Sequence, residues 1–281
     1  MANLTVDFDG IRRIYVRNDV VDHVVHKDHL NYIKVSHTDE ILFRGSRDQI
    51  VYTTTHSMSP SFYVDTVIAD APVGYWRLNE TSGTTAADSS GNGLDGTYIG
   101  GVILGQPGLP PTLASTSVLF NGSNSYVSVP ASAILNLTAA WTQEVWVYLP
   151  GTAGGVALAE DYPTNTRVLY TLICGSNSTS VGFHNGSWRQ TSGPGLASNE
   201  WAHVVGTWDG TALKHFINGA LSGTSVPGSL PTSGMNGLYI GKRWDNAFGP
   251  YFSGRIAEVA IYSTALSADK IAEHYAMGIG I

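Results

Sequence analysis

Apolar and polar positions alternate with a period of two along most of the chain, in short runs punctuated by turn residues. SVLF, YVSV, TQEVWVYL, RVLYTLI and GLYIG read as β-strands, being rich in β-branched and aromatic residues. WAHVVGTWDGTALKHFINGAL reads as strand, tight turn, strand, tight turn. The pairs Asn121-Gly122, Asp209-Gly210 and Asn218-Gly219 are each flanked by β-branched or aromatic residues, the signature of hairpins. Two segments break the pattern. Ser61 to Asp70 predicts a short helix that stops before Pro72, because the residue preceding a proline is pushed out of helical geometry. LSADKIAEHYA predicts a second, with Ser267 as N-cap, Asp269 in the first turn, and Ile271 and Tyr275 at i, i+4 to dock on a sheet. In FSGRIAEVAIYS, period-two alternation places Ala257, Val259 and Ile261 on the core face. It sends Glu258, with Ile256, Ala260 and Tyr262, to the opposite, solvent-side or groove-side face.

Composition divides the chain near Pro60. Residues 1–60 hold 15 of the 37 charged side chains and 5 of the 9 histidines but only 2 of the 32 glycines. Their short β-type runs (IRRIYV, DVVDHVV, NYIKVS, EILF, QIVYTTT) bury little by themselves, so this segment is expected to complete its core against a partner chain or the next domain. Residues 61–281 are rich in Gly, Ser, Thr and aromatics. The expected fold class is therefore all-β, a two-sheet antiparallel jelly roll at 61–281 preceded by a small β-rich segment at 1–60. A formal charge of -7 with only 13% charged residues offers no basic field for nucleic acid or for anionic membranes. Cys174, the only cysteine, sits beside Leu172 and Ile173 and reads as a buried, inert thiol, so neither an internal disulfide nor a cysteine-based zinc site is expected. The N-terminal MANLTVDFDGIRRIYV lacks the layout of a secretory signal, and the expectation is synthesis in a cytoplasm without membrane insertion.

Five blocks carry a resemblance. PVGYWRLNETSGTTAADSSGNGLDGTY, SVLFNGSNSYVSVP, WTQEVWVYLP, WAHVVGTWDGTALKHFINGAL and FSGRIAEVAIYSTALSADKIAEHY are similar, in order, to blocks of laminin-G-like, concanavalin A-like jelly-roll domains, over about residues 70 to 276. The opening YVDTVIADAPVGYWRLNE resembles the start of such domains in bacteriophage tail and other virion proteins. The resemblance implies two curved antiparallel sheets whose first and last strands pair, and it makes Trp76, Trp141, Trp146, Trp201 and Trp208 core aromatics. It does not assign an activity, because that fold hosts adhesins, glycosidases, sugar-binding modules and spacers alike.

Retaining glycosidases need two carboxyl groups roughly 5 Å apart, and glycosidases resembling this fold carry Glu-X-Asp-X-X-Glu on one strand. Here Glu144 stands alone in TQEVWVYL, on the face of Trp146 and Tyr148, and the adjacent Glu160 and Asp161 point to opposite faces of any strand they share, so no enzyme is expected. The resemblance also implies a structural calcium held by an Asp at the start of the last strand, where relatives read Asp-Glu-Val. This chain has Ala257, Glu258 and Val259, which lacks that ligand, so no cofactor is expected; Asp88, Asn92 and Glu258 are the remaining metal candidates. Asp88 and Asn92 alternatively close an Asx turn on their own backbone. In DHVVHKDH, strand alternation sends His23 and His29 one way and His26 the other. A trimer could gather one histidine per chain around an axis, or the histidines are surface or interface groups without metal.

Sugar recognition needs aromatic faces beside amides or carboxylates on loops. NGSWRQ around Trp188 and KRWDNAFGPYF with Trp244, Asp245, Asn246 and Tyr251 supply that mixture, which subunit contacts also use. The resulting expectation is a non-enzymatic bacteriophage virion structural protein (capsid decoration, head fibre or minor tail protein) displaying its jelly roll on the virion surface. Residues 1–60 would contact other virion proteins, and a homo-oligomer is possible. The alternative is an adhesin that recognises host surface glycans through the jelly roll.

Overall fold

A computed structural model of the protein describes residues 33–34, 40–41, 60–109, 115–160, 167–230, 237–243 and 251–280. The chain divides into two compact units, Met1–Met58 and Ser59–Ile281. In the first, β1 (Ile33–Lys34) pairs antiparallel with β2 (Glu40–Ile41), so parts of NYIKVS and EILF form the expected strands. The other runs of this segment, and His23, His26 and His29, lie outside the described residues.

The second unit opens with α1 (Pro60–Ala69), then β3 (Gly74–Trp76), β4 (Thr85–Ala86), β5 (Gly96–Ile99) and β6 (Ile103–Pro107). It continues through β7 (Thr116–Asn121), β8 (Tyr126–Pro130), β9 (Trp141–Tyr148), β10 (Gly154–Glu160), β11 (Arg167–Gly175) and β12 (Ser178–Asn185). It closes with β13 (Trp188–Pro194), β14 (Trp201–Trp208), β15 (Leu213–Ile217), β16 (Ala220–Ser225), β17 (Gly237–Ile240), β18 (Ser253–Tyr262) and α2 (Ala268–Ile279). Both expected helices are present. Pro60 starts α1, where its missing N–H costs nothing. The Ser267 hydroxyl caps α2 by accepting from the Lys270 amide at 3.2 Å.

The strands form two antiparallel layers. One runs β16-β15-β14-β9-β18, and β18 then splits its free edge between β7 at residues 253–256 and β3 at residues 259–261. First and last strands thus pair, as the resemblance implies. The other runs β13-β12-β11-β10-β17-β8-β5-β4, and a single pair, Gly154 with Ser253, joins the two. Of the three turn pairs, Asp209-Gly210 and Asn218-Gly219 do close hairpins. Asn218 and Gly219 have φ of 51° and 78°, the left-handed pair that a two-residue turn demands. Asn121-Gly122 does not. It carries the chain from β7 in one layer to β8 in the other, and Asn121 Oδ1 accepts from the amides of Ser123, Asn124 and Ser125 to hold the corner. The sequence signal there reports a tight turn, and the partner of each strand is decided elsewhere.

The core between the layers contains Trp76, Trp141, Trp208, Phe120, Phe183 and Phe252, all essentially inaccessible. Each such side chain contributes roughly 1.5–3 kcal/mol by leaving water. Phe183 and Trp208 meet edge to face across the layers at 5.3 Å, and Gln143 Nε2 donates across them to the Thr171 carbonyl at 2.9 Å. A second apolar cluster lies outside this sandwich. Tyr63 and Val67 of α1 pack with Tyr75, Trp146, Ala257, Ala260 and Tyr262 on the outer face of β3, β9 and β18, and α2 covers the neighbouring strands, Ile271 on Val205 and Phe216. Trp146 is therefore a core aromatic of the helix-covered layer. Trp201 is half-buried at its margin, where the Arg255 guanidinium lies 3.6 Å from the Tyr148 ring centre and 5.5 Å from that of Trp201.

Close packing of α2 generates a test. A Cβ on Gly278 would fall 2.1 Å from Trp146 Cζ2, and that indole is already stacked on Tyr275 at 5.9 Å and on His203 at 4.8 Å. Alanine favours a helix interior by ~1 kcal/mol over glycine, but overpacking costs about 1–3 kcal/mol where nothing can give. Gly278→Ala is expected to lower the thermal midpoint by several degrees in a fluorescence melt, and an unchanged or raised midpoint would show that α2 does not seat here.

Candidate functional site

The outer face of the helix-covered layer is organised around a carboxylate. Period two along β9 sends Val145 and Val147 into the sandwich and Glu144 and Trp146 outward, under the helices. There Glu144, 1% exposed, is surrounded. His203 Nε2 of β14 donates to its Oε1 at 2.7 Å, His274 Nδ1 of α2 reaches both oxygens at 2.9 and 3.1 Å, and the hydroxyls of Tyr63 and Tyr262 donate at 3.2 and 3.0 Å. The other His274 nitrogen, Nε2, meets Asp70 Oδ2 at 3.0 Å, and Lys270 Nζ meets Asp70 Oδ1 at 3.0 Å. With a carboxylate at each ring nitrogen, His274 must donate from both and is therefore an imidazolium.

The electrostatics follow from that geometry. Burial opposes ionisation of Glu144, yet the His274 charge and the hydrogen bonds from both histidines outweigh it and hold the carboxyl well below its usual range. Burial likewise opposes the charge on His274, and Glu144 and Asp70 overcome it, raising the imidazole above 6.5. Glu144 therefore does not stand alone, as the sequence reading had it. The signal was present in the spacing of α2: Ile271, His274, Tyr275 and Gly278 share the docking stripe, which makes His274 an inward-facing histidine.

Glu258 does not lie where period-two alternation predicts. It is 1% exposed and not on a solvent-side face: Tyr75 Oη donates to its Oε2, and Arg77 Nε lies 3.5 Å from Oε1. The cause is a bulge. Register against β9 jumps from Ala257–Trp146 to Ala260–Glu144, and Glu258 adopts φ 52°, a left-handed conformation unusual for a non-glycine residue. Alternation consequently slips by one. Ile256, Val259 and Ile261 enter the sandwich core, while Ala257, Ala260 and Tyr262 face the helix layer, so Ala257 does not share a face with Val259 and Ile261. Burial raises the Glu258 carboxyl, Arg77 and Tyr75 only partly opposing it, to about 7.

Asp88 is committed to the protein. Oδ1 accepts from the amides of Tyr75 and Ser90 at 3.0 and 2.9 Å, and Oδ2 from the Leu94 amide and the Ser90 hydroxyl at 2.9 and 2.8 Å. Asn92 Nδ2 donates to the Val73 carbonyl at 3.1 Å. This is an Asx-turn arrangement in which a cation at Asp88 would have to displace those donors. Among the described residues no group of three or more His, Cys, Asp or Glu side chains is placed to hold a metal.

The outer face of the other layer has no helix over it among the described residues. Along β8 and β17 the residues between the core valines, leucine and isoleucine point out, which places Tyr126 and Tyr239 side by side, edge to face at 5.3 Å. Tyr251 joins them, 6.2 Å from Tyr126, because its backbone bridges to Lys242. The Lys242 ammonium lies 4.5, 4.7 and 5.9 Å from the ring centres of Tyr239, Tyr126 and Tyr251. The next residue, Arg243, extends to Trp188, 6.0 Å from that indole centre. Trp188 is 39% exposed and packs edge-on against His184 of the neighbouring strand at 5.3 Å. Of the sugar-site candidates, Trp188 and Tyr251 are thus linked through Lys242 and Arg243; Trp244, Asp245 and Asn246 lie outside the described residues. Tyr126, Tyr239 and Lys242 carry no mark of a site in the linear sequence; the pairing of β17 with β8 brings them together.

Two antiparallel layers with paired terminal strands, one outer face covered by helices and the other bearing aromatic rings, define a lectin-type β-sandwich. Residues 121–272 match a laminin G family model described as the Concanavalin A-like lectin/glucanases superfamily, and the chain belongs to that family. No curated protein sequence matches significantly. Among solved structures, domain 4 of AbnA, an extracellular arabinanase from Geobacillus stearothermophilus, in complex with arabinotriose, is similar at 20% identity and a TM-score of 0.56, over 73% of this chain and 98% of that one. The binding domain of Paraclostridial Mosquitocidal Protein 1 is similar at 14% identity and a TM-score of 0.59, over 74% of this chain and 52% of that one. A binding domain of botulinum neurotoxin DC in complex with SialylT is similar at 14% identity and a TM-score of 0.56, again over 74% and 52%. The chain thus spans about half the length of the toxin binding domains, and likeness at these identities reports the fold.

The Glu144 cluster predicts a pH signature. The His274 pKa is raised on folding, so its contribution is full below about 6.5 and is lost as pH rises through the folded value; that of Glu144 is full above about 4.5 and is lost on acidification. Removing one partner of such a buried pair costs roughly 3–5 kcal/mol. His274→Gln is therefore expected to be strongly destabilised at pH 6 in urea titrations followed by tryptophan fluorescence, and the gap to the wild type should narrow by pH 9. A gap independent of pH would refute the imidazolium assignment.

Proposed function

We propose that residues 59–281 are a non-catalytic carbohydrate-binding module, displayed on the surface of a bacteriophage particle by a virion structural protein that attaches through residues 1–60. The observation that carries the sugar-binding reading is the aromatic face of the second layer, where Tyr126, Tyr239 and Tyr251 surround the Lys242 ammonium and the next residue, Arg243, reaches the exposed Trp188. Aromatic faces cover the apolar surface of a sugar ring, and polar groups at their rims take the hydroxyls. Solved structures of the same fold in complex with arabinotriose and with SialylT support the reading. The non-catalytic part rests on Glu144, whose oxygens are occupied by two histidines and two tyrosines beneath the helices, where a glycoside cannot reach them. The virion assignment rests on the resemblance of residues 63–80 and on the charged, short-stranded first segment, which suits contacts with other particle proteins or with copies of itself. Synthesis in the host cytoplasm and recognition of host surface glycans complete the proposal.

The full-length protein is expected to be retained by a subset of glycans on an array and by cells of a susceptible bacterium. Trp188→Ala and Tyr251→Ala should each weaken binding about 10-fold or more, since base-rate losses for a stacking aromatic are ~1–3 kcal/mol, with unfolding midpoints near the wild type. Failure to bind any glycan or any host cell would leave only a structural role on the particle. Antibody against the protein should label purified particles, and absence from them would end the virion assignment.

A further inference from the structure

We infer that the sugar taken by this aromatic face is anionic, carrying a carboxylate or a sulfate, and that Lys242 reads its charge. The inference rests on the carbohydrate-binding reading and adds the ligand's chemical class. Lys242 is only 8% exposed, and its ammonium sits over three tyrosine rings. Among the described residues no carboxylate lies within ion-pair distance of it. Several other buried or half-buried charges of this unit are paired: Glu144 with His203 and His274, Asp70 with His274 and Lys270, Glu258 with Arg77. Lys242 departs from that pattern.

Ring quadrupoles attract an ammonium but carry no net charge, so the three tyrosines hold Lys242 in place without neutralising it. A partly desolvated cation held this way gains most from an anion that arrives with the ligand, because the charge-assisted hydrogen bond forms where water is sparse. The neighbours fit the same occupant. Tyr126, Tyr239 and Tyr251 supply apolar ring faces within reach of the ammonium, and the next residue, Arg243, lies near Trp188. The formal charge of -7 does not oppose this at short range, since physiological salt screens exposed charges beyond about 8 Å. A neutral glycan would use the tyrosines and leave the lysine without a counter-charge.

The test uses the full-length protein and two matched ligand pairs: an oligogalacturonate with its methyl ester, and a sulfated oligosaccharide with its desulfated form, in calorimetric titrations at 50 and 300 mM salt. The charged member of at least one pair should bind about 10-fold or more tightly, a difference of ~1.4 kcal/mol, and weaken at high salt. Preference in the first pair identifies a carboxylate ligand, and in the second a sulfate. Lys242→Met, which keeps the stem over the tyrosines, should remove that preference, whereas Trp188→Ala should weaken both members. Should Lys242→Met fail to fold, judged by its thermal midpoint, the ester and desulfated comparisons decide on the wild type alone. Equal affinity within both pairs, or binding confined to neutral glycans on the array, overturns the inference and leaves sugar binding intact. Binding to no glycan of either kind removes the carbohydrate-binding reading and the inference with it.

Discussion

The Glu144 carboxylate is the constraint on which the second unit is assembled. An ionised acid buried between a sheet and two helices costs several kcal/mol in lost hydration unless every oxygen lone pair finds a donor. Here the donors come from four separated parts of the chain: Tyr63 on α1, His203 on β14, Tyr262 on β18 and His274 on α2. The acid thus ties the start of the unit to its end. Asp70 and Lys270 extend the chain of charges to the rim, where water can reach it.

This arrangement explains why the two outer faces differ. The face bearing Glu144 is closed by helices that Trp146, Tyr275 and Gly278 allow to approach closely, and it has become structural. The face bearing Tyr126, Tyr239 and Tyr251 carries one partly desolvated cation and no helix among the described residues. The oxygens of Glu144 and of the half-buried Asp88 are occupied by donors of the protein, whereas the Lys242 ammonium is held by aromatic faces and has no carboxylate at ion-pair distance among the described residues.

The bulge in β18 links fold to site. Without the extra residue at Glu258, strict alternation would keep Val259 and Ile261 on the side of Ala257 and send Ile256 to the other, and the sandwich core would lose one end of its last strand. With it, Tyr262 falls on the helix side and reaches Glu144. The strained φ at Glu258 is maintained because Tyr75 and Arg77 hold the side chain and the Glu258 amide donates to the Arg77 carbonyl.

The features legible in one dimension are local. Period two, the turn pairs, the Ser267 cap and Pro72 specify strands, turns and helix ends, because these depend on backbone sterics and on neighbours a few residues away. The ordered blocks from Pro72 to Tyr275 added the family and the pairing of its terminal strands. Trp188 and Tyr251 were legible as site candidates because loop aromatics beside polar groups stand out in one dimension. Long-range packing settles the rest: Asn121-Gly122 joins layers, Glu258 is buried at a bulge, Glu144 has histidine partners 59 and 130 residues away, and Lys242 sits among three tyrosines. Register, bulges and charge pairing depend on contacts between strands distant along the chain, and a one-residue slip exchanges the two faces without altering the hydrophobic pattern from which they are read.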